Sequence, residues 1–333
     1  MSTNLVDRFG RRHTYLRISV TDRCNLRCLY CMPGEDIVWK RREELLTFEE
    51  IERVTKIAVD AGVRKVRLTG GEPFARAGIE KLIPRIKSLP GLETLAITTN
   101  AVLLKEKLPA VRPFVDAFNV SLDTFKRDKF RELTGRDKLT EVVEGIEALL
   151  TSGYQNLKLN VVVMKGINDD ELLDFARFAE ERPIAVRFIE FMPFAGNQWS
   201  QGKLLPMADI VSELEKEYQL QAIPEERSPI SRDFRLTRKR DGFQSRGSIG
   251  IIASMSAPFC SSCSRLRMTA EGKIMPCLHS PLEFDLREVL RSGGSDADIL
   301  SVFLHALGEK PEEHPPAEEM MAQAGRVMIQ IGG

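Results

Sequence analysis

The sequence lacks a surplus of either charge: 48 Lys and Arg residues stand against 48 Asp and Glu in a chain of 333. Without an overall field there is nothing to draw nucleic acid or an anionic membrane onto the surface, so an anionic partner must be recognised at a local pocket. Long hydrophobic runs are missing too. No stretch approaches the roughly 20 apolar residues of a membrane span, and Met1 to Arg12 is polar and charged, without the apolar segment of a secretory signal. A soluble, cytoplasmic protein is expected. Low-complexity tracts and close repeats are absent from Tyr15 to Pro193, so no repeat architecture is expected there. Histidines are few, and His13, His279, His305 and His314 show no pairing in sequence with a nucleophile or a carboxylate. They receive no catalytic role.

Apolar residues make up 43% of the chain, enough for one large core or a large core with a smaller one appended. Short apolar runs alternate with helix-period segments, the βα rhythm of a parallel α/β fold. Six strands are predicted, at Tyr15–Thr21, Lys65–Thr69, Leu95–Thr99, Ala117–Leu122, Leu157–Met164 and Ala185–Phe191. Between the first two, Thr47–Ala61 opens with Thr47 and Glu50 at capping-box spacing and stops at Gly62. After Pro193 the rhythm fails. Leu205–Tyr218 still reads as helix, Pro224–Gly247 as a long loop or boundary, Leu282–Leu290 as helix and Gly308–Glu319, rich in Pro and Glu, as a mobile segment.

The six cysteines fall in two tight groups within a long chain that has no secretory signal, which favours metal ligation over disulfides. The first group, Cys24, Cys28 and Cys31, is a C-x3-C-x2-C loop directly after the first strand. A structural zinc site wants a fourth Cys or His, and none is near. A 4Fe–4S cluster held by three thiolates keeps one iron open to chelate a small molecule such as S-adenosylmethionine. In a βα barrel, chemistry gathers at the C-terminal ends of strands. There lie the Thr69-Gly70-Gly71-Glu72-Pro73 turn, whose glycines let a cofactor approach the backbone, and Arg67, Thr98, Ser121, Lys158 and Met192. The second group, Cys260, Cys263 and Cys277, is C-x2-C-x13-C: a second open-iron cluster, or a zinc ribbon borrowing His279. Arg265 and Arg267, with Lys273 nearby, form a compact anion site, and guanidinium forks suit a triphosphate.

The first motif, with Tyr30 just before its third cysteine, resembles the defining motif of the radical S-adenosylmethionine superfamily, and Gly70-Gly71-Glu72-Pro73 resembles its second signature. The run from Phe259 to Leu278 resembles the C-terminal signature of the GTP 3',8-cyclase family of molybdenum cofactor biosynthesis, and Gly332-Gly333 its terminal di-glycine. The resemblance implies an incomplete (β/α)6 TIM-like barrel over residues 1–220 and a C-terminal region, 221–333, with a second cluster. It implies two 4Fe–4S clusters and S-adenosylmethionine as cofactors. Catalytic roles fall to Cys24, Cys28, Cys31, Arg265 and Arg267, and metal ligation to those three cysteines with Cys260, Cys263 and Cys277. Tyr30, Gly71, Ser121 and Met192 would contact S-adenosylmethionine; Arg17, Arg67, Thr98, Lys158, Arg265 and Arg267 would contact GTP. The implied reaction is a lyase reaction: a 5'-deoxyadenosyl radical takes the C3' hydrogen of GTP, and C3' closes onto C8 of guanine. Implied partners are an external electron donor and a downstream cyclic pyranopterin monophosphate synthase, with a homodimer left open. Two rivals are a radical enzyme that modifies a peptide through an auxiliary cluster, and a zinc-binding scaffold.

Overall fold

A computed structural model of the chain describes residues 4–34, 37–224, 230–323 and 325–332. The six strands expected from the sequence form β1 (Tyr15–Ser19), β2 (Lys65–Thr69), β3 (Thr94–Thr99), β4 (Ala117–Ser121), β5 (Leu157–Val163) and β6 (Ala185–Glu190), each parallel to the next. The connecting helices are α1 (Phe48–Asp60), α2 (Ile79–Lys87), α3 (Leu104–Val111), α4 (Arg127–Thr134), α5 (Leu139–Thr151) and α6 (Leu172–Glu181). The capping box at the start of α1 is formed: Thr47 accepts from the Glu50 amide and Glu50 from the Thr47 amide.

Strand alternation separates core from cavity. Leu16, Ile18, Val66, Leu68, Ile97, Phe118, Val120, Leu159 and Phe188 join one buried cluster with helix residues such as Ile51, Leu82 and Phe175. The intervening residues, among them Arg17, Arg67, Asn119, Asn160 and Arg187, line a cavity on the other side of the sheet. Buried parallel strands usually carry apolar residues on both faces; here one face is polar.

Beyond residue 200 come α7 (Met207–Leu214), β7 (Tyr218–Ala222), β8 (Arg232–Arg238), β9 (Ser248–Ile252), β10 (Arg265–Met268), β11 (Lys273–Met275), β12 (Phe284–Asp285), α8 (Leu286–Arg291) and α9 (Asp296–Gly308). This part of the chain extends the sheet at both edges. Strand β9 pairs parallel with β6, and β10 pairs parallel with β1. The order is β12-β11-β10-β1-β2-β3-β4-β5-β6-β9-β8-β7, so the sheet curls without closing.

Several expectations need correction. The helix predicted over Leu205–Tyr218 ends at Leu214, and Tyr218 opens β7. Strand β8 crosses the segment read as loop; residues 225–229 of that segment are outside the described part. The helix predicted from Leu282 starts at Leu286, after β12, where the Asp285 side chain accepts from the Glu288 amide as its cap. Gly308–Glu319 is held in place, because the Lys310 ammonium is buried against main-chain carbonyls and Arg11 donates to the carbonyls of Pro311, at 2.7 Å, and Glu312, at 2.5 Å. Lys273 is no part of an anion site, since its ammonium pairs with Glu283 at 3.3 Å. His13 does have a carboxylate partner: Nε2 lies 3.0 Å from Asp7 Oδ2, and burial drives the imidazole down to about 4, a structural pairing.

Candidate active site

The first cysteine loop is fastened from both sides. Amides of Arg27 and Leu29 donate to the carbonyls of Thr134 and Leu133 at the end of α4. On the other side the glycine turn docks on the start of the loop: Gly71 N donates to Thr21 O at 2.7 Å and Glu72 N to Arg23 O at 2.8 Å. A Cβ on Gly71 would stand 2.2 Å from the Arg23 carbonyl oxygen, so only glycine fits there. Glu72 is fully buried and accepts from Phe74 N, Thr99 Oγ1 and Asn100 N, which bolts the turn to β3; burial raises its carboxyl to about 7. Asn100 in turn donates to Asn25 Oδ1 at 2.7 Å and to Cys24 Sγ at 3.6 Å. Tyr30 donates to Asp123 Oδ2 at 2.8 Å, and Asp123 Oδ1 accepts from Val162 N at the end of β5. Burial raises the Asp123 carboxyl to about 6.

The middle of the cavity is strongly cationic. Arg67 is 3% exposed; its Nε donates to the Tyr15 hydroxyl at 2.6 Å and its Nη1 to Thr98 Oγ1 at 3.2 Å. The Lys65 ammonium stands 5.0 Å from the Tyr15 ring centroid. Burial works against ionising Tyr15, yet Arg67, Arg17 and Lys65 bring its phenol down to about 7. Burial, with Arg67 and Arg265 nearby, lowers Arg17 to about 10. Arg187 reaches Asp233 at 3.5 Å. Among the described residues that line the cavity, Asp123 is the one carboxylate, against Arg17, Lys65, Arg67, Arg187, Arg265, Arg267 and Lys310.

The second cysteine loop lies at the opposite end of the strands. It runs into Arg265, which is level with Tyr15, the first residue of β1, whereas the first loop follows the C-terminal end of β1. Arg265 sits 4.8 Å from the Phe259 ring centroid. Arg267 is 6% exposed and donates to the Gly332 carbonyl at 3.3 Å, so the chain terminus reaches the cavity; Gly333 is outside the described residues. Burial works against ionising Cys263, but Arg265 and Lys310 bring that thiol down to about 7. His279 lines the cavity and stacks on Phe194 with centroids 5.2 Å apart; burial lowers it to about 3.

All six cysteines are free thiols and all line one cavity of about 1980 Å³, open mouth included. So do Tyr30, Gly71, Ser121 and Met192 at the first loop, and Arg17, Arg67, Thr98, Arg265 and Arg267 further in. Lys158 does not line the cavity itself, but its ammonium, which donates to Asn156 Oδ1 at 2.9 Å, lies in the field of the lining cations Arg187, Lys65 and Arg67 and belongs to the same charged group. Sequence reasoning missed Tyr15, Lys65, Asn119, Asn160, Arg187 and Lys310. For Lys65, Asn160 and Arg187 the signal is a polar side chain on one alternating face of Lys-Val-Arg-Leu-Thr, Leu-Lys-Leu-Asn-Val and Ala-Val-Arg-Phe-Ile, strands that should be buried.

The residues present fit clusters and an anionic ligand. Each triad brings three free thiols to the cavity wall, the donor type that holds a 4Fe–4S cluster. Asn119 Oδ1, Asn160 Oδ1 and Arg187 Nε are buried without hydrogen-bond partners on residues that line the cavity, and such groups are costly unless a ligand or water satisfies them.

An open barrel of parallel strands with a C-x3-C-x2-C loop after its first strand is the architecture of radical S-adenosylmethionine proteins, and the Radical SAM superfamily model matches residues 18–179. A second family model, Molybdenum Cofactor Synthesis C, matches residues 184–316. The chain is 42% identical to the mitochondrial GTP 3',8-cyclase of Arabidopsis thaliana, across all of this chain and 84% of that one. It is 41% identical to the GTP 3',8-cyclase of Moorella thermoacetica, across 98% of this chain and 99% of that one. Molybdenum cofactor biosynthesis protein 1 of Homo sapiens is 41% identical, and the chain spans 51% of its length. The chain belongs to the GTP 3',8-cyclase family of the radical SAM superfamily. A crystal structure of Streptococcus suis SuiB superposes with a TM-score of 0.57 at 16% identity, over 81% of this chain and 62% of that one, a likeness of fold alone.

Proposed function

We propose that the chain is a radical S-adenosylmethionine GTP 3',8-cyclase, which converts GTP to (8S)-3',8-cyclo-7,8-dihydroguanosine 5'-triphosphate in the first step of molybdenum cofactor biosynthesis. The observation that carries this reading is the cationic lumen between two cysteine triads, whose one carboxylate among the described residues stands beside Tyr30 at the first loop. Such a lumen suits a triphosphate lying between the two clusters.

Cys24, Cys28 and Cys31 would ligate the first cluster, and Cys260, Cys263 and Cys277 the second. When bound, the first cluster and S-adenosylmethionine supply the 5'-deoxyadenosyl radical that takes the C3' hydrogen of GTP. The chain's residues position and shield. Tyr30, Gly71, Ser121 and Met192 frame S-adenosylmethionine, while Arg17, Arg67, Thr98 and Lys158, joined by Lys65 and Arg187, hold the phosphates. Arg265 and Arg267 would bring positive charge to the substrate beside the second cluster, where the cyclised radical must gain one electron, ultimately from the external donor, and one proton. Holding both reactants in one geometry supplies much of the acceleration. Residues 1–220 act as the radical core and 221–333 as the region that brings the second cluster.

The reading calls for an external electron donor and a separate cyclic pyranopterin monophosphate synthase to consume the product, and leaves a homodimer open. No helix among the described residues is long and apolar enough to cross a membrane. We place the chain in the cytoplasm, where thiols stay reduced.

The test is anaerobic purification and reconstitution, with iron, sulfide and zinc measured alongside 5'-deoxyadenosine. About eight irons per chain, from two 4Fe–4S clusters, and GTP-dependent 5'-deoxyadenosine are expected. About four irons with GTP-independent cleavage would point to another radical enzyme, such as the peptide modifier, and zinc without iron to the scaffold. The identity to GTP 3',8-cyclases spans the whole chain and gives the peptide modifier no support.

A further inference from the structure

Lys310 is a lysine in an unusual place. It is 3% exposed, although a lysine is almost never buried unless paired. Two of its three N–H groups are spent on carbonyls: Arg265 O at 3.0 Å and Pro276 O. Both carbonyls belong to the second cysteine site, since Pro276 precedes Cys277 and Arg265 follows Cys263 by two residues. The third N–H is left for the cavity that Lys310 lines. The principal charges acting on it are the sulfurs of Cys263 and Cys277 and the cations of Arg11 and Arg265, with no carboxylate among them. Carbonyl dipoles alone offset little of the cost of burying an ammonium. The negative groups that principally act on Lys310 are therefore the cysteine sulfurs of the second triad.

The segment that carries Lys310 is held from the far end of the chain. Arg11 donates from Nη1 to Cys260 O at 2.8 Å and from Nη2 to Pro311 O at 2.7 Å. Its Nε pairs with Asp7 Oδ2 at 2.6 Å, and Asp7 is in turn held by His13. One guanidinium therefore joins the first cysteine of the second triad to the residue after Lys310, and it is braced by a buried carboxylate.

We propose that Lys310, fixed by the Arg11–Asp7 brace, is a positioning residue for the second cluster: it ties the chain just after Cys263 to the chain just before Cys277 and supplies the positive charge that offsets their thiolates. The proposal rests on the assignment of that cluster to Cys260, Cys263 and Cys277. Positive charge beside the sulfurs favours the reduced cluster, because outer groups tune cluster potential through charge and hydrogen bonds.

The test uses the full chain, reconstituted without oxygen, as wild type, Lys310→Met and Lys310→Arg. Iron content, the paramagnetic resonance signals of the two reduced clusters and a redox titration of each are measured. In Lys310→Met the second cluster is expected to be at least tenfold less reduced at a fixed poise, equivalent to about 59 mV for a one-electron couple. The signal, the potential and the iron of the first cluster are expected to stay as in wild type. Lys310→Arg is expected to restore most of the shift. Selective loss of about four irons from Lys310→Met, with the first-cluster signal kept, supports the positioning role as well. An unchanged second-cluster potential in Lys310→Met, or an equal shift in Lys310→Arg, would overturn the proposal. Wild type holding only about four irons would instead remove the cluster assignment on which it stands.

Discussion

At Gly71 the backbone of the glycine turn passes so close to the cysteine loop that a Cβ would lie 2.2 Å from the Arg23 carbonyl. A methyl group there must push the loop away. Gly71→Ala is therefore expected to lose the first cluster, with iron after reconstitution falling by about four per chain, while Cys260, Cys263 and Cys277 keep theirs; full iron in this variant would contradict the packing argument. Arg265 and Arg267 make a different prediction, since both stand at the second triad. Replacing either is expected to leave cleavage of S-adenosylmethionine in place and to lower the yield of cyclised product per 5'-deoxyadenosine, both read by chromatography. Normal cyclisation by both variants would sink that role.

The lumen also titrates. Lys158 is lowered to about 8 by burial and by Arg187, Lys65 and Arg67, so its charge is present below that pH and lost above it. Tyr15, at about 7, gains negative charge over the lower part of the same range. Both changes make the lumen less attractive to a triphosphate as pH rises. The kcat/KM for GTP, which reports the free enzyme, is expected to fall from about pH 7 through pH 8. Lys158→Arg should keep the charge and remove the upper part of the fall, and Tyr15→Phe the lower part. Profiles identical to wild type in both variants would show that neither group senses the phosphates.

Between elements, one carboxylate does much of the joining. Glu190, at the end of β6, is fully buried and accepts from Met207 N at 2.9 Å, Met255 N at 2.7 Å, Ser256 N at 2.8 Å and the Ser256 hydroxyl. It links β6 to the start of α7 and to the chain that leads from β9 to the second cysteine loop. Removing it strands buried donors at about 1–3 kcal/mol each. Glu190→Ala is expected to lower stability by about 3 kcal/mol or more, with Glu190→Gln in between, as measured by denaturant unfolding; a loss under about 1 kcal/mol would contradict the hub.

Legibility differed between these elements for physical reasons. Strands β1 to β6 and helix α1 were readable because their residues repeat a local pattern, and Thr47 with Glu50 caps α1 within its own turn. Strands β9 and β10 were not: what makes them strands is pairing with β6 and with β1, which lies some 250 residues away from β10. The cysteine loops and strand-end residues were legible because spacing fixes which side chains meet. Lys65 and Arg187 carry charge inside apolar strands, which marks a polar face, but only the curl of the sheet turns that face into a lumen. Lys310 was hidden inside a segment whose Pro and Glu content suggests mobility, and what orders it is Arg11 from the other end of the chain.

Taken as one molecule, the chain is an open barrel whose distant C-terminal strands add an edge on each side and carry a second cysteine triad to the far end of the lumen. The central claim is that a radical made at the first triad acts on the ribose of GTP held between the two. The most direct measurement is label transfer: GTP deuterated at C3' is turned over by the reconstituted chain under reducing, oxygen-free conditions, and 5'-deoxyadenosine is analysed by mass spectrometry. The account expects one deuterium in 5'-deoxyadenosine and cyclised product in matching amount. Unlabelled 5'-deoxyadenosine formed at the same rate with and without GTP would contradict it.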